Sequence, residues 1–545
     1  MLRFTDITEP AGLRFRHDSG ARGKKYNPET FGPGAGWIDY DVDGHIDLLL
    51  LNGTELEAEP EPNVTARLYK NLGNARFEDV TGSAGLSFPF YGMGFTTADL
   101  DEDGDPDLLL YGLHGVRLLE NENGRFRDRT ADSGLDGASG WMGAAAFFDY
   151  DLDGHLDLFL GRYVEWSPRH EEGVDCTFGT RAKKYCPVAV FPPQAPLLFR
   201  GKGDGRFEDV TELAGIAGLR GKALGVVVED VDRDRLPDIL VANDSVPNFF
   251  LRNRGDGTFE DLGLASGFAT DGNGAALAGM GIDSTWTDEG RLAVVIGNFS
   301  GEPTTFHVEE GGRYFRERSF EIGIGQRSLD RVTFGTLLED FDLDGIVDFA
   351  QVNGHVFEVE SITRIPYRQT PQLFGGRAGG TFEEIESDEG GAWLEAPIIG
   401  RALATADFDL DGDLDLVLTE NAGEIRLLRN DTPPADRTIA ITLEGRLSHR
   451  DAIGAEAELL FSSPSGERRV RRTVKAVSSY LSQSTRDIVV AWHEDEKLVA
   501  IEARWPLGLR ERFAPPKARR ARLIEGEGAP VDSVAASRER DAVDP

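Results

Sequence analysis

The stretch DYDVDGHIDLLLLNG, residues 39–53, holds four aspartates within nine residues and continues directly into an uncharged apolar run. Its carboxylates follow the spacing D-x-D-x-D-G-x-x-D, in which the glycine at position 6 permits a sharp turn. Crowded carboxylates repel one another unless a cation lies between them. The stretch therefore predicts a cation-binding loop that leads into a buried β-strand.

Near-copies of this loop recur along the chain. We name each loop after its first residue. They are the Asp39, Asp99, Asp149, Asp230, Asp340 and Asp407 loops. A degenerate copy, STWTDEGRLAVVIGNFS (284–300), keeps the apolar strand but lacks the ligand positions. We expect this copy, the fifth in chain order, to hold no ion.

Each loop lies inside a longer repeat. The repeat opens with a strand of small residues, such as FGPGAGWI (31–38), and passes through the acidic loop into the apolar strand. It ends in a Gly/Asn hairpin, as in RLYKNLGNARFEDVTGSAGL (67–86). Short β-rich runs between such turns predict a four-stranded antiparallel sheet per unit. Seven such units predict an all-β, seven-bladed β-propeller.

The two ends of the repeat region complement each other. The seventh unit stops after its third strand at IRLLRNDTPP (425–434), and LRFTDITEPAGL (2–13) supplies the missing fourth strand. A ring closed in this way leaves no exposed sheet edge. We therefore expect the N-terminal strand to complete the last blade and the folded domain to start near residue 2. Any export signal would then lie upstream or have been trimmed.

Calcium suits these loops because it takes six to eight oxygen ligands at ~2.3–2.6 Å, whereas magnesium keeps more of its water. Carboxylates at positions 1, 3, 5 and 9 and a backbone carbonyl at position 7 would supply them. The predicted metal ligands are Asp39, Asp41, Asp43, His45, Asp47, Asp99, Asp101, Asp103, Asp105, Asp107, Asp149, Asp151, Asp153, His155, Asp157, Asp230, Asp232, Asp234, Asp238, Asp340, Asp342, Asp344, Ile346, Asp348, Asp407, Asp409, Asp411, Asp413 and Asp415.

About five strong calcium sites and one weaker site are expected. The weaker one is the Asp230 loop, where Arg235 replaces the glycine. Plain acidic turns are the alternative, since Asp and Gly are common turn residues. Recurrence at corresponding positions favours calcium, and several equivalent sites favour a stabilising role over a catalytic one.

Composition excludes some classes of partner. The 545 residues include 58 basic and 95 acidic side chains, a net charge of −37. Such a charge repels nucleic acids and anionic membrane surfaces. No apolar run reaches the ~20 residues of a membrane span, and MLRFTDITEPAGLRF (1–15) shows no signal peptide. Cys176 and Cys186 lie in one Pro-rich insertion, as either a disulfide or two free thiols.

The C-terminal part has a different pattern. Residues 437–525 alternate apolar and polar positions without a helical period, which predicts a small β-sandwich or barrel. The expected domains are a propeller at 1–430, a linker at 431–436, this β domain at 437–525 and a disordered tail at 526–545.

The acidic repeats resemble FG-GAP or VCBS repeats, the calcium-loop blades shared with integrin α-subunit heads. DAIGAEAELLFSSPSGERRVRRTVKAVSSYLSQST (451–485) and IEARWPLGLRERF (501–513) resemble the ASPIC/UnbV domain. The combination is the layout of the cartilage acidic protein family and its bacterial relatives. FRHDSG (15–20), CTFGTRAKKYCPVAVFPP (176–193), VANDSVPNFF (241–250) and VNGHVF (352–357) also look like the bacterial members. The resemblance implies an extracytoplasmic protein and favours the Cys176–Cys186 disulfide.

Catalytic motifs are sparse. H-E-x-x-H, G-x-S-x-G and P-loop patterns are missing from the sequence. His17 and His355 lie in loops outside the blade pattern, where they could reach one face of the propeller. The sequence favours a calcium-binding, non-catalytic recognition or adhesion module with a protein or glycan partner at the cell surface or matrix. A propeller enzyme acting on extracellular polysaccharide or another polymer at the central channel is one alternative. A structural envelope protein is another.

Overall fold

The computed structural model describes residues 2–56, 66–177, 183–358, 360–433 and 437–531. Most of the ordered chain forms seven four-stranded antiparallel sheets, called blades 1 to 7 here. Within each blade the second strand is buried, as in Asp47–Leu51, apart from the half-buried Arg162 that ends this strand in blade 3. The fourth strand is only three or four residues long and carries one inward aromatic residue, as in Phe77–Asp79. This gradient of burial explains the order of apolar and polar runs in each repeat.

The chain begins with β1 (Phe4–Asp6), which belongs to blade 7. Blades 1 to 3 consist of β2 (Ala35–Ile38), β3 (Asp47–Leu51), β4 (Ala66–Asn71) and β5 (Phe77–Asp79); β6 (Gly92–Ala98), β7 (Asp107–Gly112), β8 (Gly115–Asn121) and β9 (Phe126–Asp128); and β10 (Met142–Phe148), β11 (Asp157–Arg162), β12 (Leu197–Gly201) and β13 (Phe207–Asp209).

Blades 4 to 7 follow the same plan. They consist of β14 (Ala223–Glu229), β15 (Asp238–Asn243), β16 (Phe249–Asn253) and β17 (Phe259–Asp261); β18 (Ile282–Trp286), β19 (Leu292–Ile296), β20 (Thr305–Glu310) and β21 (Tyr314–Glu317); β22 (Thr333–Glu339), β23 (Asp348–Asn353), β24 (Gln372–Arg377) and β25 (Thr381–Glu384); and β26 (Gly400–Ala406), β27 (Asp415–Glu420) and β28 (Arg426–Asn430), completed by β1.

The first strands of successive blades contact one another around a ring, which closes between β26 and β2. The N-terminal strand β1 pairs with β28, with Phe4 opposite Asn430. The predicted all-β propeller, closed by its N-terminal strand, is therefore confirmed. Small residues line the ring because neighbouring backbones approach closely. A Cβ on Gly281 would lie 1.9 Å from the Phe334 carbonyl oxygen of the next blade.

Residues 437–531, called the C-terminal unit here, form the rest of the structure. Its strands are β29 (Thr438–Glu444), β30 (Glu456–Ser463), β31 (Gly466–Thr473), β32 (Ser482–Gln483), β33 (Ile488–Ala491), β34 (Lys497–Arg504), β35 (Arg510–Phe513), β36 (Arg520–Ile524) and β37 (Ala529–Pro530). Two sheets, in the orders β33-β29-β36 and β31-β30-β34-β35-β37, enclose one apolar core that includes Ile441, Leu459 and Ile501. This is the predicted small β-sandwich.

Helical segments are few and short. The α-helices are α1 (Pro168–Glu172), α2 (Gly263–Ser266), α3 (Gly325–Ser328), α4 (Glu360–Thr363) and α5 (Ser387–Gly390), and the 3₁₀ turns are Asn27–Thr30, Thr130–Asp132, Val188–Val190 and Ala392–Glu395. Among the described residues, none of these helices has the length and apolarity to cross a membrane.

The structure also tests two other sequence predictions, on the cysteine pair and on the C-terminal tail. Cys176 and Cys186 form a disulfide with Cα atoms 5.2 Å apart, so the bonded alternative is the correct one. Residues 526–531, assigned to a disordered tail, are ordered. The backbone N–H groups of Gly526 and Gly528 donate to the buried Glu511 carboxylate, which holds the chain against β35. The remainder of the predicted tail, 532–545, and linker residues 434–436 lie outside the described residues.

Candidate metal centre and the plugged channel

The six acidic loops share one backbone shape. Each connects the first and second strands of its blade, and residues at positions 4 and 6 have positive φ angles, for example Val42 at 54° and Gly44 at 86°. The first aspartate closes the turn. The Asp39 carboxylate accepts the N–H groups of Asp43 at 3.1 Å and Gly44 at 3.0 Å. The positive φ at position 6 favours glycine, as predicted.

The loops bring predicted ligands together, at positions 1, 3 and 5 in the Asp39, Asp99, Asp230 and Asp340 loops and at positions 1, 3 and 9 in the Asp149 loop. Carboxylate oxygens lie within 4.8 Å of one another in the following groups: Asp39, Asp41 and Asp43; Asp99, Asp101 and Asp103; Asp149, Asp151 and Asp157; Asp230, Asp232 and Asp234; Asp340, Asp342 and Asp344. Burial, reinforced by neighbouring carboxylates, raises the pKa of Asp99 and of Asp149 to about 7. Ionised carboxylates in this setting need a counter-charge.

The aspartate at position 9 also bonds to the backbone of its blade, which the spacing of the loop does not predict. Asp47 is fully buried, and its carboxylate accepts N–H groups from Tyr40 at 3.2 Å and from Asn71 at 2.7 Å. It therefore joins the loop to the third strand of the blade. The same pair of contacts is made by Asp107, Asp157, Asp238, Asp348 and Asp415.

An asparagine in the third strand connects neighbouring blades. The side-chain amide of Asn121 donates to the carbonyl of Tyr40 in the loop of blade 1 at 2.8 Å. Asn71, Asn253 and Asn430 make the equivalent bond to the preceding blade. The signal was present in the sequence as an Asn at the end of the third strand of blades 1, 2, 4 and 7, whereas blades 3 and 6 have a glycine there. These contacts tie the loops of four blades to the preceding blade.

A metal ion fits most of the loops on the evidence of buried carboxylate oxygens without a partner. Six such atoms occur in the described loops: the Oδ1 atoms of Asp41, Asp99, Asp151, Asp407, Asp409 and Asp413. A buried charged oxygen without a partner is costly. The Asp39, Asp99, Asp149 and Asp407 loops are thus incomplete as protein alone, and an oxygen-seeking cation would complete them.

Basic side chains from the third strand of the same blade partly neutralise three loops. Lys70 contacts Asp41 and lies 2.9 Å from Asp43. At the same place in blade 3, Arg200 lies 2.9 Å from both Asp151 and Asp153. Arg252 contacts the loop carboxylates of blade 4 in the same way. The equivalent third-strand residues, Glu120 in blade 2 and Gly375 in blade 6, are not basic. Lys70 and Arg200 reach the Oδ2 atoms and leave the inner Oδ1 atoms of Asp41 and Asp151 free.

The Asp230 loop does not fit a metal ion. Arg235, at position 6, has a φ of 78°. Arginines contact each carboxylate at positions 1, 3 and 5, and no buried unpartnered oxygen occurs in this loop, all of which is described. The weaker site predicted at Asp230, Asp232, Asp234 and Asp238 is therefore filled by arginine side chains.

The C-terminal unit lies on the face of the ring that carries the loops. The Asp99 N–H group donates to Asp451 at 2.7 Å, and Arg520 contacts Asp407. Residues 478–485, called the plug here, reach from this unit into the ring. Strand β32 runs parallel to β2, with Ser482 opposite Ala35.

Serine side chains of the plug accept hydrogen bonds from the first strands of the blades. Ser479 exchanges backbone hydrogen bonds with Ile282, and its Oγ accepts the Thr336 N–H group at 3.1 Å. Ser482 Oγ accepts the Leu403 N–H group at 3.2 Å. Tyr480 is fully buried. The SSYLSQS segment, quoted above only as a family signature, thus fills the inner wall of the ring.

The two candidate histidines are buried structural groups. His17 Nδ1 accepts the Ala422 N–H group at 3.0 Å, and burial lowers the pKa of His17 to about 3. His355 Nδ1 accepts the Phe357 N–H group, and burial lowers its pKa to about 4. Both stay neutral at physiological pH. Both lie near Arg401, whose five N–H donors are taken by backbone carbonyls, including those of Thr30 and Gly354.

Comparisons with known proteins agree with the sequence resemblance. The FG-GAP-like repeat profile matches residues 39–110 and 99–160, and the ASPIC and UnbV profile matches residues 445–530. Cartilage acidic protein 1 of Homo sapiens is 26% identical over 418 residues, which cover 72% of this chain and 57% of that protein. The Mus musculus protein is 24% identical over 508 residues, covering 88% of this chain and 71% of that one. The chain thus spans little more than half of the human relative.

Similar solved structures include an Agrocybe aegerita lectin that recognises non-reducing terminal N-acetylglucosamine and the rhamnogalacturonan lyase YesW. The lectin is 16% identical, with a TM-score of 0.40, over 68% of this chain and 84% of its own. The lyase is 12% identical, with a TM-score of 0.37, over 74% and 73%. Scores this low carry no argument about function. The chain is an FG-GAP-repeat protein with an ASPIC and UnbV domain, and it is related to cartilage acidic protein 1.

Proposed function

We propose that this protein is a calcium-binding, non-catalytic recognition module that works outside the cytoplasm. The observation that carries the calcium proposal is the set of buried carboxylate oxygens without partners in four acidic loops. Position 1, 3 and 5 aspartates would hold the ion, with position 9 and the backbone carbonyl at position 7 completing the shell. Calcium would neutralise carboxylates that otherwise repel one another.

The proposed sites are the Asp39, Asp99, Asp149, Asp340 and Asp407 loops. The Asp340 loop is included because its three carboxylates cluster and a glycine at position 375 leaves no basic side chain there. Both oxygens of Asp340 and one each of Asp342 and Asp344 accept backbone N–H groups. This described loop has no buried carboxylate oxygen without a partner, so we expect the site to be weaker. Calcium in these loops would have a stabilising role.

Recognition is favoured over catalysis by the contents of the channel. The plug occupies the inner wall of the ring, where a propeller enzyme would place its site. His17 and His355 are buried and bonded to backbone, which removes the most plausible acid–base groups of the other face. The disulfide and the relationship to cartilage acidic proteins support a location outside the cytoplasm. A protein or glycan partner is the natural ligand class for such a module.

A calcium-dependence experiment tests the proposal. The immobilised full chain is offered cell-envelope or matrix extract and a glycan panel, with calcium or with chelator, while circular dichroism monitors folding. Asp99→Asn combined with Asp149→Asn serves as a calcium-deficient variant, and the exposed Asp136→Asn is its matched control. We expect the variant to bind two fewer calcium ions per chain than the wild type and the control, and to show weaker calcium-dependent capture. A folded wild-type chain that binds no calcium and captures nothing from these sources would refute the proposal.

A further inference from the structure

The Asp230 loop is neutralised by arginines from two parts of the molecule. Arg252 of blade 4 lies 2.6 Å from Asp232 and 2.9 Å from Asp234. Arg504 of the C-terminal unit lies 3.0 Å from Asp230 and 2.6 Å from Glu456. Its guanidinium therefore contacts the first ligand position, as Arg520 does at Asp407. Among the described loops, arginines contact positions 1, 3 and 5 together only in the Asp230 loop.

A lysine of the C-terminal unit likewise pairs with a carboxylate of blade 5, whose copy of the acidic loop is degenerate. Lys475 Nζ lies 2.9 Å from the fully buried Asp283 of blade 5 and 3.4 Å from Glu339 of blade 6. Next to it, Thr473 Oγ1 donates to Glu229 at 3.0 Å and accepts the Trp286 Nε1–H group at 3.0 Å. Lys475 immediately precedes the segment that leads into the plug.

The charge distribution matches this docking. The C-terminal unit, 437–531, contains 17 basic and 13 acidic residues, whereas the rest of the chain contains 41 basic and 82 acidic residues. A basic unit on the acidic face of a ring is attracted over the whole contact. The specific buried pairs then fix its position.

We propose that Arg504 and Lys475 form a cation latch that takes the place of calcium at blades 4 and 5 and keeps the plug docked when calcium is removed. The two halves of the loop face would then differ. Blades 1, 2, 3 and 7 depend on a metal ion for their carboxylates, whereas blades 4 and 5 use side-chain cations that chelators do not extract.

Hydrogen exchange of the full chain tests the latch, because the Ser479 and Thr485 N–H groups of the plug donate to Ile282 and Thr405 of the ring. We expect the 478–485 amides of the wild type to stay protected in both calcium and chelator. In Arg504→Gln combined with Lys475→Gln, they should exchange about 100-fold faster in chelator, since breaking buried ion pairs is strongly destabilising. Arg512→Gln, which removes an exposed arginine of the same sheet paired only to Glu502, is the matched control.

Two results would overturn the latch. One is a wild-type plug that exchanges as fast in chelator as the double variant. The other is a double variant as protected as the wild type under both conditions. Bound calcium gives a measurement that does not depend on docking. Asp232→Asn should leave the number of ions per chain unchanged, and Asp99→Asn should lower it by one. A loss of calcium in Asp232→Asn would place an ion in the Asp230 loop and contradict the latch.

A chain that binds no calcium at all would count against the proposed function and not against the latch. The latch would then still predict faster plug exchange in the double variant without added metal, and equal exchange would refute it.

Discussion

Asp107 illustrates how one carboxylate stabilises the fold and also belongs to a predicted metal site. It is buried at position 9 of its loop and accepts N–H groups from Leu100 at 3.1 Å and Asn121 at 2.8 Å. In Asp107→Asn one side-chain oxygen becomes an NH₂ group, which faces a backbone donor. We expect the free energy of unfolding to fall by about 2–3 kcal/mol, measured by urea denaturation.

The chelator separates the two roles of this residue. The loss in Asp107→Asn should persist when calcium is removed, because the backbone bonds do not require the ion. The exposed Asp136→Asn should change stability by less than about 0.5 kcal/mol. A loss in Asp107→Asn that disappears in chelator would assign this aspartate to metal binding alone.

His307 is a second single residue with a predicted effect, because its protonation in acid should lower the stability of the protein. It is buried on β20 against the rings of Phe268 and Phe315, and burial lowers its pKa to about 4. The unfolded chain has the ordinary pKa near 6.5, so it binds the proton more readily, and stability is lost as pH falls from about 6.5 to 4. We expect His307→Phe to remove about 3 kcal/mol of this loss, measured by urea denaturation across that pH range. An unchanged pH profile in His307→Phe would contradict the assignment.

At the scale of elements, strand β1 closes the ring with few residues. Phe4 is buried and packs edge-on against Phe341 and Trp393, with both ring centroids at 5.9 Å. Phe4→Ala leaves a cavity in blade 7, which combines β1 with three strands from the C-terminal end of the propeller. We expect a destabilisation of about 3–5 kcal/mol by chemical denaturation and faster hydrogen exchange in β28. Arg3→Ala, at the exposed neighbour, should cause neither, and a Phe4→Ala variant with wild-type exchange in β28 would show that closure does not rely on this contact.

The elements also show what sequence alone can and cannot reveal. The turn glycines, the acidic spacing and the split last blade are local signals, so the propeller and its loops could be predicted. The plug could not be, because Ser479 and Ser482 bond to Thr336 and Leu403, more than 70 residues away, and nothing local marks such pairs. Lys70 and Arg200 were missed for the same reason, since they reach their loops from the third strand. His17 and His355 are exposed loop residues by pattern, and only the fold shows that they are buried.

At the scale of the whole molecule, calcium should set the stability of the ring. An ion that binds only the native state contributes RT ln(1 + [L]/Kd), about 2.7 kcal/mol per site at a hundredfold excess over Kd. Differential scanning calorimetry should therefore show a higher unfolding midpoint in calcium than in chelator, with a smaller effect of magnesium, which favours octahedral sites that retain water. Asp99→Asn should reduce the calcium-induced rise, and Asp232→Asn should not, because arginines already occupy that loop. An unfolding midpoint that does not respond to calcium would mean that the protein alone compensates its crowded carboxylates.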